Sequence, residues 1–212
     1  MTHFFITIAG NIGVGKSTLV KLLAERLNWE PVFEAVEENP YLADFYQDMR
    51  RWSFHSQVFF LSRRLQQHYE LLQRDAAIIQ DRSVYEDAEI FARNLSVQGL
   101  MSEREWATYF ELYRTLTTLL RPPHLIIYLQ AEVPVLRRRI QQRGRDYEQT
   151  IHDDYLAQLN RLYDEWVTHF TLSPVLTINT NNLDYVQYED HLDLIWQRIE
   201  ERLRGKDLLI LP

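Results

Sequence analysis

The sequence contains no cysteine. That excludes disulfides, zinc–thiolate sites and a thiol nucleophile. No apolar run approaches the roughly 20 residues that a membrane-crossing helix requires. The first residues lead straight into an apolar strand pattern, with no space for a secretory leader. Positive charge is also short: 23 Lys and Arg stand against 30 Asp and Glu, for a net charge of −7. Such a balance argues against coating nucleic acid, where affinity comes mainly from neutralising phosphates. Repeats, low-complexity blocks and linkers are absent too. The expectation is a cytoplasmic protein with neither a nucleic-acid nor a membrane partner. It forms a single α/β domain over 1–212.

What is present begins with residues 4–18, FFITIAGNIGVGKST. The pattern predicts a buried strand over 4–9, a glycine-rich turn and a helix opening near Lys16. The turn spells G-x-x-x-x-G-K-S. Its residues Gly10, Asn11, Ile12, Gly13, Val14, Gly15, Lys16, Ser17 and Thr18 are candidates for binding the phosphates of ATP. Glycines let successive backbone N–H groups curl around phosphate oxygens where a side chain would block the approach. The helix N-terminus adds unpaired N–H groups and partial positive charge. Lys16 can reach the β- and γ-phosphates, and the Ser17 hydroxyl can ligate Mg²⁺.

Further along, apolar spacing predicts strands over 31–36, 76–81, 124–130 and 175–179. Helices are expected to end near 28 and to begin at 40, with others over 52–74, 84–95, 102–120, 133–143, 153–171 and 186–204. Ser102 and Glu105 have the spacing of a capping box. On the long 52–74 helix, Phe54, Val58, Leu61, Leu65, Tyr69 and Leu72 make an apolar stripe. Gln57, Phe60 and Arg64 share a neighbouring one. Strands alternating with helices imply a P-loop three-layer fold, a five-stranded parallel sheet flanked by helices. Ligands of such sheets bind at the C-terminal strand ends. That rule gathers the glycine turn, Glu34 and Asp81-Arg82-Ser83 on one rim.

Phosphoryl transfer needs cradled phosphates, a held metal, an oriented nucleophile and neutralised charge. Ser17 and Asp81 are the candidate metal residues, and Glu34 is the candidate base for an acceptor hydroxyl. Arg82 can hold Glu34 and the acceptor oxygen together. Arg139, Arg143 and Arg145 sit in a basic island and could close over the donor phosphates as a lid over about 139–148.

Several blocks carry a resemblance. Residues 33–41 (FEAVEENPY), the pattern Arg51-Trp52-Ser53-Phe54…Gln57, residues 81–87 (DRSVYED) and Arg143-Gly144-Arg145 resemble, in order, blocks of the deoxynucleoside kinase family. The likeness is to the bacterial deoxyadenosine and deoxyguanosine kinase type, related to deoxycytidine kinase. It implies that Glu34 is the general base for a deoxynucleoside 5′-hydroxyl, with Arg82 beside it. Asp81 stands where most members carry a metal-linked acid, often Glu, so its shorter side chain implies a water-mediated contact. Gln57 and Asp87 would hydrogen-bond the base, with Arg64 paired to Asp87, and Phe91 would pack on it. Phe60 joins this pocket. Tyr46 and Glu148 would hold the sugar 3′-hydroxyl, and tyrosine crowding at the 2′ position would favour deoxyribose. The implied partners are a deoxynucleoside, ATP and a second copy in a homodimer, with purine bases weakly favoured.

Two other readings stay open at this stage. A nucleoside monophosphate kinase shares the fold and lid, but the Glu34 carboxylate would repel an acceptor phosphate. A nucleotide-dependent switch shares the loop, but the guanine-reading N-K-x-D is absent at Asn179-Thr180-Asn181-Asn182.

Overall fold

The computed structural model describes residues 4–33, 39–145, 148–149 and 151–203. Glu34, the expected base, and the last part of the strand expected over 31–36 lie outside the described residues. Strand β1 (Phe5–Gly10) is buried along its whole length, as the unbroken apolar run requires of a strand covered on both faces. It lies between β3 (Ile78–Asp81) and β4 (Leu125–Gln130). The edges are β2 (Glu30–Val32) and β5 (Val175–Asn179), giving the order β2-β3-β1-β4-β5 with every pairing parallel. The expected five-stranded parallel sheet is borne out.

On one face, helix α1 (Lys16–Leu27) packs Leu19, Val20 and Leu23 against Ile6, Ile8 and Leu129 of the sheet. It ends where Asn28 adopts a left-handed conformation, φ 54°. Helix α6 (Val133–Arg143) and the closing α8 (Glu189–Leu203) complete this layer through Leu136, Ile140, Leu192, Ile195 and Ile199. Gly144 caps α6 at φ 69°, the break expected there.

The other face carries α2 (Leu42–Gln47), α3 (Met49–Leu71), α5 (Glu103–Thr117) and α7 (Asp153–His169). Between α3 and α5 runs α4, which is α-helical over Val84–Glu86, π-helical over Asp87–Ala92 and α-helical again over Arg93–Val97. The Ser102–Glu105 capping box forms as its spacing predicts.

Helix α3 departs from the sequence pattern. Its buried side is largely polar: Ser53, Ser56, Gln57, Arg64 and His68, with Leu61 and Leu71. The apolar stripe is only partly covered, and Tyr69 is 63% exposed. Specific partners account for the inversion. Arg64 pairs with Asp87, Asn39 Nδ2 donates to Ser56 Oγ at 3.0 Å, and His68 Nε2 donates to the Arg121 carbonyl at 2.9 Å. Polar groups can be buried where each finds a hydrogen-bond partner. Among the described residues no helix is long and apolar enough to cross a membrane.

Candidate active site

Strand β1 delivers the chain into a turn that only glycine fits. Gly10, Gly13 and Gly15 have φ of 144°, 80° and 107°. A Cβ on Gly13 would fall 2.6 Å from Ile140, and one on Gly15 only 2.1 Å from the Tyr185 hydroxyl. Asn11 braces the turn: its Oδ1 accepts from Ile12 N at 2.7 Å, while Nδ2 donates to the Leu156 carbonyl and to Asn160 Oδ1. Lys16, almost wholly buried, curls back to donate from Nζ to the Asn11 carbonyl at 3.0 Å. Its cation thus stands over the loop, where the phosphates of a nucleotide bind.

Above the loop lies a cavity of about 700 Å³ lined by Gly13, Gly15, Lys16, Ser17 and Thr18. Arg139, Arg143 and Arg145 enter it from α6 and the turn beyond, and residues 181–187 close the far side. The three arginines differ in posture. Arg139 donates to the carbonyls of Val14, Thr180 and Leu183 and to Thr180 Oγ1, so it stitches the loop to the segment after β5. Burial lowers its pKa from the usual arginine range, the main cause. Arg143 and Arg145 instead turn to the buried Glu148 carboxylate. Tyr185 donates to the Gly15 carbonyl at 3.0 Å, and burial pushes its phenol up to about 12.

Next to this cavity, on the α3–α4 side of the loop, is a second space of about 100 Å³. Tyr46, Gln57, Phe60, Arg82, Asp87 and Phe91 line it, together with Ile12 of the loop and Tyr155 of α7. Six of the residues expected to bind an acceptor therefore meet in one pocket. Arg64 stands behind it, donating from Nε to Asp87 Oδ2 at 3.1 Å and from Nη1 to the carbonyls of Asp81 and Arg82. Glu148 is not among the lining residues. Asp87 and Phe91, four residues apart on the π-helical turn, both line the pocket. Arg82 lines the smaller space: its guanidinium lies 4.1 Å from the centre of the Phe91 ring, and its backbone is left-handed at φ 68°.

Where β3 ends, the Ser17 hydroxyl donates to Asp81 Oδ2. Asp81 Oδ1 is buried with no hydrogen-bond partner among the described residues. An orphaned carboxylate oxygen beside a loop hydroxyl is a donor set of hard oxygens, which suits Mg²⁺.

The deoxynucleoside kinase family matches residues 6–204. The chain belongs to the deoxynucleoside kinase family. It is a phosphotransferase acting on deoxynucleosides, as the resemblance implied. It is 37% identical over 196 residues to the deoxyadenosine/deoxycytidine kinase of Bacillus subtilis, covering 92% of this chain and 90% of the relative. It is 33% identical to a deoxyguanosine kinase of Lactobacillus johnsonii, covering 94% and 92%. Among solved structures, deoxyadenosine kinase from M. mycoides with bound dATP superposes with a TM-score of 0.81 at 28% identity, over 94% of this chain and 100% of that one.

Sequence reasoning missed several residues that this kinase brings to the site. Tyr155 lines the smaller pocket, Tyr185 fills the space over Gly15, and Glu86 and Tyr163 lie beneath the loop. Tyr155 and Tyr163 look in sequence like ordinary members of an amphipathic helix. Glu86 carried the one available signal, an acid three residues after Ser83, which is capping-box spacing.

Proposed function

We propose that this kinase transfers the γ-phosphoryl group of ATP to the 5′-hydroxyl of a deoxyribonucleoside, with purine deoxynucleosides favoured. The observation that carries this reading is the adjacency of the two cavities, with Ile12 of the loop forming a wall of the smaller and Arg82 facing into it. In this reading the phosphates of ATP lie along Gly13 to Thr18, and Lys16 and Arg139 offset their charge. Arg143 and Arg145 close as a lid when a donor competes with Glu148 for them. The acceptor base packs on Phe91 and beside Phe60. Gln57 and the Asp87–Arg64 pair offer it both donors and acceptors, which suits adenine, guanine or cytosine better than thymine. The relatives, deoxyadenosine/deoxycytidine and deoxyguanosine kinases, support the same range.

Tyr46 and Glu148 receive the sugar 3′-hydroxyl. Glu34 takes the 5′-hydroxyl proton, which turns the alcohol into a competent nucleophile. Arg82 faces the charge that develops on the transferring group, where a fixed cation is worth most. Mg²⁺, held by Ser17 and Asp81 directly or through water, supplies charge neutralisation on the phosphates when bound.

The enzyme works in the cytoplasm as a homodimer, a reading supported by Leu112 and Leu119. Leu112 lies on α5 and Leu119 two residues past its end, and Leu119 is 77% exposed. A one-chain mass in light scattering removes the dimer. The reaction itself is tested by ³¹P NMR of the product from deoxyadenosine and ATP-Mg²⁺, for the wild type and Glu34→Gln. A 5′-monophosphate is expected, with turnover about 100-fold lower in the variant while ATP still binds. Wild-type turnover in Glu34→Gln removes it from the role of base.

A further inference from the structure

Beneath the phosphate loop lies a buried acid that the reaction as described does not use. Glu86, on the first turn of α4, has no exposed surface. Its Oε2 accepts from Ser83 N at 2.7 Å and from Ser83 Oγ at 3.0 Å. Its Oε1 accepts from Gly10 N at 3.2 Å and from the Tyr163 hydroxyl at 2.7 Å. The Tyr163 oxygen is also 2.8 Å from the Gly10 carbonyl and receives Arg82 Nη1 at 3.4 Å. One carboxylate and one phenol therefore join the first glycine of the loop, the residue after Arg82, and the Arg82 guanidinium.

A capping box alone does not account for this arrangement. Capping satisfies the start of α4 through Oε2, whereas Oε1 faces away from that helix and holds a backbone N–H of the loop 76 positions earlier in the chain. The Gly10 N–H is held by Glu86, and its carbonyl lies 2.8 Å from the Tyr163 oxygen, whose single proton it shares with the Glu86 carboxylate. Arg82 meanwhile holds a left-handed backbone, φ 68°, without being glycine. Such a conformation persists only where surrounding contacts fix it. Glu86 grips the next residue at both N and Oγ, and Arg64 holds the Arg82 carbonyl. Tyr163 is itself locked, stacked on Tyr128 with ring centres 5.3 Å apart.

We infer that Glu86, acting with Tyr163, is a positioning residue that fixes Arg82 relative to the phosphate loop, so that the donor phosphates and the arginine facing the transferring group are held as one unit. The inference rests on the reading of Arg82 given above. Transfer rates depend steeply on such placement, and a shift of about 1 Å can cost about 100-fold. The carboxylate has no substitute of the same shape. In Glu86→Gln the amide NH₂ must face either Gly10 N–H or Ser83 N–H, and neither backbone donor can turn away. The Tyr163 and Ser83 hydroxyls can reorient, but the peptides cannot.

The test is steady-state kinetics on the full chain, with ATP and deoxyadenosine affinities measured separately, for Glu86→Gln, Tyr163→Phe, Arg82→Lys and the Glu86→Gln/Arg82→Lys double variant. The expected result is kcat about 100-fold lower in Glu86→Gln and about tenfold lower in Tyr163→Phe, with both affinities nearly unchanged. In the double variant the loss stays close to that of Arg82→Lys alone, because the two residues act as one. A purely structural role would instead give losses that multiply. Multiplicative losses, or wild-type kcat in folded Glu86→Gln, overturn the inference. If Glu86→Gln does not fold, Tyr163→Phe decides, and an unchanged kcat there overturns it. Wild-type kcat in Arg82→Lys removes the underlying reading of Arg82, and this inference with it. An impaired Arg82→Lys beside unimpaired Glu86→Gln and Tyr163→Phe removes this inference alone.

Discussion

Arg64 Nε donates to Asp87 Oδ2 across 3.1 Å, and neither side chain is more than 4% exposed. The pair joins α3 to the π-helical turn of α4 just behind the acceptor pocket. Removing the cation takes the Arg64 partner from a buried carboxylate and the Arg64 N–H donor from two backbone carbonyls. Arg64→Leu is therefore expected to cost about 3–5 kcal/mol of stability. Urea unfolding checks this. A loss no larger than the ~0.5 kcal/mol of an ordinary surface change contradicts the pair's role.

The glycine turn makes a sharper demand. Gly15→Ala sets a Cβ 2.1 Å from the Tyr185 hydroxyl at a φ of 107°. The backbone term alone is expected to cost about 1–3 kcal/mol, and the loop must shift to clear the tyrosine. ATP affinity measured by calorimetry should drop at least about tenfold, the equivalent of 1.4 kcal/mol. Adding Tyr185→Phe should restore only part of it, since the backbone strain remains. Unchanged affinity in Gly15→Ala contradicts the cradle.

Asp81 offers an independent test of the metal reading. Its unpartnered Oδ1 and the Ser17 contact at Oδ2 are the oxygens available on this side of the loop. Asp81→Asn keeps the shape and removes the charge. The Mg²⁺ concentration giving half-maximal activity should rise about 10- to 100-fold. An unchanged Mg²⁺ titration shows that Asp81 plays no part in holding the ion.

Stability should also depend on pH through His68. Burial lowers its pKa below 6.5, with the nearby Arg64 cation adding to the effect and the bond to the Arg121 carbonyl opposing it. A base whose folded pKa is depressed stays neutral in the native state while the unfolded chain takes up a proton. Its contribution is thus complete above about pH 6.5 and is lost as pH falls toward the folded value, at most about 1.4 kcal/mol per pH unit. His68→Gln should flatten that part of the stability profile relative to the wild type. Parallel profiles from pH 7 to 5 contradict the assignment.

Most of the framework was legible in the sequence, for reasons that differ by element. Helix α6 and strand β5 fall where their patterns predict, because Gly144 ends one and a short β-branched run defines the other. The phosphate loop is local, so its spacing alone carries its geometry. The buried side of α3 was not legible from apolar spacing. A stripe of Ser, Gln, Arg and His reads as solvent-facing unless its partners are known, and Asp87, Arg121 and Asn39 come from other parts of the chain. The link from Glu86 to Gly10 is hidden for the same reason. It joins residues 76 positions apart, and nothing in either neighbourhood records the other.

The central claim is that catalysis needs an acceptor in the pocket between Gln57, Phe91 and Arg82. Its most direct test is coupled ADP release from ATP-Mg²⁺ with each of the four deoxynucleosides, with adenosine, with dTMP, and with no acceptor. The expected result is release that depends on a deoxynucleoside, strongest with deoxyadenosine or deoxyguanosine, weak with adenosine and absent with dTMP. ADP release indifferent to every acceptor, or seen only with dTMP, contradicts it.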